Sequence, residues 1–131
     1  MSLTVSDALL TKAQQNTLTQ DDFITCVRES LPHAWNIVDG LAKKLEADTS
    51  LSYAVHAPEH MDNEPRGQLL RMLASSSMRN AIEQHFGLKF EFKNCHVTAA
   101  FKPVAVGGPE HTEFTSPIGQ ILAQSPWLLD C

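Results

Sequence analysis

LKFEFKNCHVTAAF, from Leu88 to Phe101, decides how this chain folds. Leu88, Phe90 and Phe92 alternate with Lys89, Glu91 and Lys93, and Val97, Ala99 and Phe101 alternate with His96, Thr98 and Ala100. Side chains on a strand point to opposite faces in turn, so each run predicts a strand with one buried face. Between them, Lys93 to His96 has the length of a hairpin turn, and Asn94 tolerates the positive φ that such turns demand. The stretch predicts an antiparallel hairpin over about 88–101.

On its N-terminal side the spacing turns helical. Pro65 is an acceptable first-turn residue. Leu69, Leu70 and Leu73 predict one helix face, Ser75–Ser77 a break and recap, and Met78, Ala81, Ile82 and Phe86 the next face, with Gly87 as the stop. Further back, LSYAVHA (51–57) alternates Leu51, Tyr53 and Val55 with Ser52, Ala54 and His56. This predicts a further strand, about 51–56, burying the larger side chains. Before it come three helices. Ser6 caps a short one through Gln15. Thr19 with Asp22 forms a capping box for the stripe Phe23, Ile24, Val27, Leu31. Ser30 is the cap expected for the third, with Pro32 in its first turn and Ala34, Ile37, Val38, Leu41, Ala42 and Leu45 on its buried face.

On the C-terminal side, Gly107–Ser116 (GGPEHTEFTS) reads as a loop by composition. Ser116 and Pro117 start a short helix through Gln124, and Trp127, Leu128 and Leu129 are expected to dock on the core. The outcome is a single α+β domain over residues 1–131: N-terminal helices packed on a small antiparallel sheet, then a short C-terminal helix.

Bulk composition agrees. Hydrophobic residues make up 43% and charged residues 19% of the 131, ordinary globular usage that excludes a disordered chain. No apolar run approaches the roughly 18 residues of a membrane span, and the first residues lack a secretion signal, so the expectation is the cytoplasm and no membrane partner. Cys26, Cys95 and Cys131 are far apart and odd in number, which suits free thiols in a reducing compartment. The net charge of −5 is unevenly spread: residues 65–102 carry six Lys and Arg against two acids, within a chain otherwise acidic.

Chemistry-bearing patterns are sparse. HAPEH (His56–His60) fits the His-x-x-Glu-His pattern of a class of zinc peptidase, which needs both imidazoles on one helical turn. Pro58 sits between them and denies that geometry, placing His56 at a strand end and His60 in a turn. A metal site would have to assemble His56, His60 and His96 from separate segments, with His111 a further imidazole. The second Pro-Glu-His, at Pro109–His111, reads as turn chemistry with Glu110 and His111 solvated. Cys26 lies on a helix and Cys95 beside His96 on a strand, where neighbours diverge, so no thiol nucleophile is assigned.

No nucleophile elbow, phosphate loop or dinucleotide fingerprint occurs. No catalytic residue and no cofactor are therefore assigned, and the chain leans away from an enzyme. The two helical segments around Ser75–Ser77 have the outline of a helix-turn-helix, with Arg66, Arg71, Arg79 and Lys89 as candidate nucleic-acid contacts. The expectation placed first is a small interaction or regulatory module acting through a protein partner or as a homo-oligomer, using helix faces or a hairpin edge. A nucleic-acid regulator is the first alternative and a metal or small-ligand binder the second. A ligand pocket would draw on Trp35, Tyr53, His56 and His96.

Overall fold

The structure, a computed structural model, describes residues 3–123. The expected Trp127–Leu129 docking, the end of the last helix at Gln124, and Cys131 lie outside the described residues. The elements are α1 (Asp7–Gln14), α2 (Gln20–Ser30), α3 (Pro32–Ala47), β1 (Tyr53–His56), α4 (Asn63–Ala74), α5 (Ser76–Phe86), β2 (Lys89–Lys93), β3 (Val97–Phe101), a 3₁₀ turn (Pro103–Ala105), α6 (Pro109–Phe114) and α7 (Pro117–Leu122). This is the α+β architecture expected, with an antiparallel sheet in the order β1-β3-β2.

Local chemistry sets most element boundaries. Ser6 Oγ accepts from Leu9 N–H, and Thr19 and Asp22 form the reciprocal capping box. Ser75 and Ser116 cap α5 and α7, and Gly87 ends α5 at φ 67°, a left-handed conformation that glycine adopts without a Cβ clash. The hairpin turn needs two positive-φ residues, Asn94 at 55° and Cys95 at 57°.

The α3 start differs from expectation. Its N-cap is Leu31, with no side-chain cap, while Ser30 Oγ accepts from Thr4 N–H instead. The open amides of α3 are satisfied across the fold by Gln68 of α4, whose Oε1 accepts from His33 N–H at 2.8 Å and Ala34 N–H at 3.3 Å. Gln68 is 4% exposed. Such a buried amide is tolerated because four orphan donors at a helix start need acceptors.

The main core joins α2, α3, α4 and α5 to one sheet face: Val27, Leu31, Val38, Leu45, Leu69, Met72, Ile82 and Phe90 are essentially sealed. Within it Trp35 is buried against the rings of His85 and Phe86. Leu70, expected on the buried face of α4, is instead exposed, and Met72 packs inward with Leu69 and Leu73.

Two strand predictions are corrected. β3 is central, pairing Tyr53–His56 on one side and Lys89–Lys93 on the other, so both of its faces are buried rather than one. In β1 the buried side chain is Ala54, while Tyr53 and Val55 are 37% and 39% exposed. Ala54 stands beside Ala100, which is opposite Phe90, and this small-residue row lets α3 approach the sheet closely.

Candidate interaction surface

The second sheet face carries Tyr53 and Val55 of β1, Ala99 and Phe101 of β3, and Lys89, Glu91 and Lys93 of β2, since residues in register share a face. Phe101 stacks on Tyr53 at 5.7 Å between ring centres and meets Phe114 and His111 edge-on. Gly107–Ser116, expected to be loop, contains α6, whose Phe114 packs on Ala99, Phe101 and Ala105. The predicted turn is a six-residue helix because tertiary contacts hold it, and it has no fully buried residue of its own.

His111, expected to be solvated, is the main fastener of this layer. Its Nδ1 accepts from Gly107 N–H at 2.9 Å, and its Nε2 lies 3.1 Å from Glu91 Oε1. A backbone amide on Nδ1 fixes the tautomer, so Nε2 carries the proton and donates to Glu91. Both ring nitrogens are engaged, which leaves none open to take a proton from a substrate. The pair is a structural clasp between α6 and β2.

Lys93 sits between two clefts. Its ammonium lies 3.9 Å from the centre of the Phe114 ring and 3.4 Å from the Phe114 carbonyl oxygen. Burial pushes its pKa down, with Glu113 opposing. One cleft, about 370 Å³, opens between β2 and the α6–α7 arm beside Glu91 and Gln120. The other, about 270 Å³, lies between Tyr53, Glu113 and Leu122. Beyond it α7 presents Ile118, Ile121 and Leu122, each at least 70% exposed. Of the side chains named for a ligand pocket, Tyr53 lines this cleft, whereas Trp35 belongs to the core.

The strand edges differ in kind. Lys102 N–H donates to Ser52 carbonyl at 2.8 Å, which makes Ser52 and Lys102 a hydrogen-bonded pair. Alternation then directs the backbone groups of Ala54 and His56 toward β3 and those of Tyr53 and Val55 outward. A groove of about 460 Å³, lined by Lys44 and residues 50–55, runs alongside. On β2 the same alternation turns Phe90 outward, but its N–H donates to Glu83 Oε2 at 2.9 Å, and Glu83 also pairs with Lys89 at 3.3 Å. One edge is closed by a carboxylate; among the described residues nothing hydrogen-bonds the other.

The remaining candidates are dispersed. His56 ends β1 and His60 lies in the following turn, as expected, with His60 Nε2 3.4 Å from Asp62. His96 is 5% exposed, with Nδ1 2.8 Å from the Asn94 carbonyl oxygen. Burial and then the nearby His96 push the His56 pKa down, so the fold does bring these two imidazoles near each other. Among the described residues no group of three or more His, Cys, Asp or Glu is placed to hold a metal.

Arg66 hydrogen-bonds Asn63 within α4, Arg71 is exposed on the same helix, and Arg79 on α5 has its Nε enclosed without a hydrogen bond. Lys89 is on β2, engaged by Glu83. Cys26 is a free buried thiol, as expected, but Cys95 is disulfide-bonded, which corrects the expectation of free thiols throughout. Cys95 is half-buried in the hairpin turn, at φ 57°, rather than within a strand. No helix among the described residues is long and apolar enough to cross a membrane.

These features define an α+β protein without a catalytic constellation among its described residues, bearing one open sheet edge beside a partly covered apolar face. The chain belongs to the family described as NucS shadow ORF, whose match extends over residues 1–131. No curated protein and no solved structure matches it.

Proposed function

We propose that this protein is a small interaction or regulatory module that works through a protein partner or through self-association, with the β1 edge and the adjoining second sheet face as its contact surface. The observation that carries this reading is the contrast between edges. Unpaired edge strands template the addition of another strand, and proteins usually blunt them with charge, proline or a covering element. The β2 edge has such protection in Glu83, whereas Tyr53 and Val55 direct unpaired backbone groups and exposed apolar side chains into an open groove. Strand addition at such an edge is a recurrent recognition mode.

The test is analytical ultracentrifugation of the purified full chain over a wide concentration range, with amide exchange of β1 alone and with any associating protein. Association that protects Tyr53 and Val55 supports the reading. A monomer at every concentration, with no protein protecting β1, refutes it.

A nucleic-acid regulator is the second reading. The family's short name begins with KH, the name of a class of nucleic-acid-binding module. Such modules clamp the nucleic-acid backbone with a Gly-x-x-Gly loop. No Gly-x-x-Gly occurs in this chain, and Ser75 alone joins α4 to α5. Arg66, Arg71, Arg79 and Lys89 would supply the contacts. Salt-dependent retention of single-stranded RNA or DNA, lost on replacing Arg71 and Arg79 with Glu, would favour this reading over the first.

A further inference from the structure

We infer that the strand that adds to β1 is β1 of a second copy of this chain, paired antiparallel about a two-fold axis through Val55. This rests on the reading of the chain as an interaction module and names its partner. An axis perpendicular to the sheet keeps each face continuous, so residues of equal parity pair. Val55 then pairs with Val55 of the second copy and Ala54 with His56 within β1 itself, and the added ladder lengthens each strand beyond Tyr53–His56 to set Tyr53 against Ala57, Ser52 against Pro58 and Leu51 against Glu59.

Three observations favour this occupant. Tyr53 and Val55 direct their N–H and C=O groups outward, so with Ala57 at the same parity the new ladder uses only groups that β3 leaves unused. Pro58, which has no N–H, falls opposite Ser52 at a position where the new ladder needs no donor. The opposite parity would have put the proline at a bonding position.

Charge is the third. Lys44 lines the groove alongside Leu51, and Leu51 is the residue that Glu59 of the second copy would face. The two-fold axis brings Lys44 and Glu59 together twice. Both are exposed in the single chain. The assembly also closes: a six-stranded sheet in the order β2-β3-β1-β1-β3-β2 consumes both open edges and leaves outside only the two guarded by Glu83.

The experiment is sedimentation velocity of the full chain from low micromolar to near-millimolar concentration. Wild type should form a dimer. Val55→Pro removes only an outward amide and leaves the Ala54 and His56 bonds to β3, so it should fold and weaken the dimer at least about tenfold, as a blocked edge does. Should that variant fail to fold, Lys44→Glu and Glu59→Lys serve instead: each alone should weaken the dimer, and the two together should restore it.

A dimer indifferent to the proline and to both charge changes overturns β1 self-pairing, while the interaction reading stands on another surface. A monomer whose Tyr53 and Val55 amides are protected only by a different protein does the same. A monomer with no protected β1 under any condition overturns both.

Discussion

Replacing Gln68 with methionine, which keeps the side chain unbranched and of similar volume, isolates one polar contact in the core. Gln68 Oε1 serves two amides at the start of α3, and no residue local to that helix takes its place, because Leu31 offers no capping side chain. Ala34 is fully buried, so its N–H would have no water to turn to. An unsatisfied buried donor costs about 1–3 kcal/mol, and a lost ordinary hydrogen bond about 1 kcal/mol. Counting the Ala34 amide in full and the more accessible His33 amide at the lower figure gives a destabilisation of about 2–4 kcal/mol.

Urea unfolding followed by circular dichroism should show this as a midpoint lowered by about 1 M, given slopes of about 1–3 kcal/mol/M for proteins of modest size. Ser30→Ala, the cap that local pattern nominates, should change stability by no more than about 0.5 kcal/mol, since its hydroxyl serves the exposed Thr4 amide and a weak, long contact to Cys26 Sγ at 3.8 Å, and no amide of α3. A Gln68→Met variant within about 0.5 kcal/mol of wild type, or a Ser30→Ala variant that loses more than it, would refute the argument that α3 is capped from across the fold.

Three further outcomes are expected. Gly87→Ala should cost about 1–2 kcal/mol in the same assay, because no atom crowds the position and the whole penalty is the left-handed backbone. Glu83→Ala should cost about 1–2 kcal/mol by unbonding Phe90 N–H, and the newly bare β2 edge should raise the tendency to form larger assemblies in light scattering. The depressed pKa of His56 means that the unfolded chain takes up a proton there before the folded chain does. Its contribution to stability is therefore complete above the unfolded value of 6.5 and is lost as pH falls from there through the folded pKa. Urea midpoints at mildly acidic and neutral pH should differ less in His56→Gln than in wild type, and an unchanged difference would contradict this assignment.

Where local rules decide, the chain could be read in advance. The hairpin, the Thr19–Asp22 capping box and the Gly87 stop each depend on a few neighbouring residues, and each forms as expected. What escaped depends on partners distant in sequence. Tyr53 and Val55 are larger than Ala54, and size alone assigns them to the core; the close approach of α3 reverses the choice. Gln68 looks like an ordinary surface amide until α3 is seen to start beside it. His111 lies in a run rich in glycine and proline, and only the fold brings Glu91 to its ring. The candidate surface was foreseen only as a hairpin edge able to pair. Which edge is open follows from the strand order and from Glu83 reaching Phe90, neither of which any periodicity reveals.

Residue-resolved hydrogen exchange at low and high protein concentration tests the open edge most directly. In the single chain the Val55 amide points outward while the neighbouring Ala54 amide is bonded to β3. Val55 should therefore exchange rapidly in dilute solution and become protected on concentration, with Ala54 protected throughout. Val55 exchange that is equally slow in dilute solution, or that stays fast at every concentration and beside every candidate protein, would contradict the account.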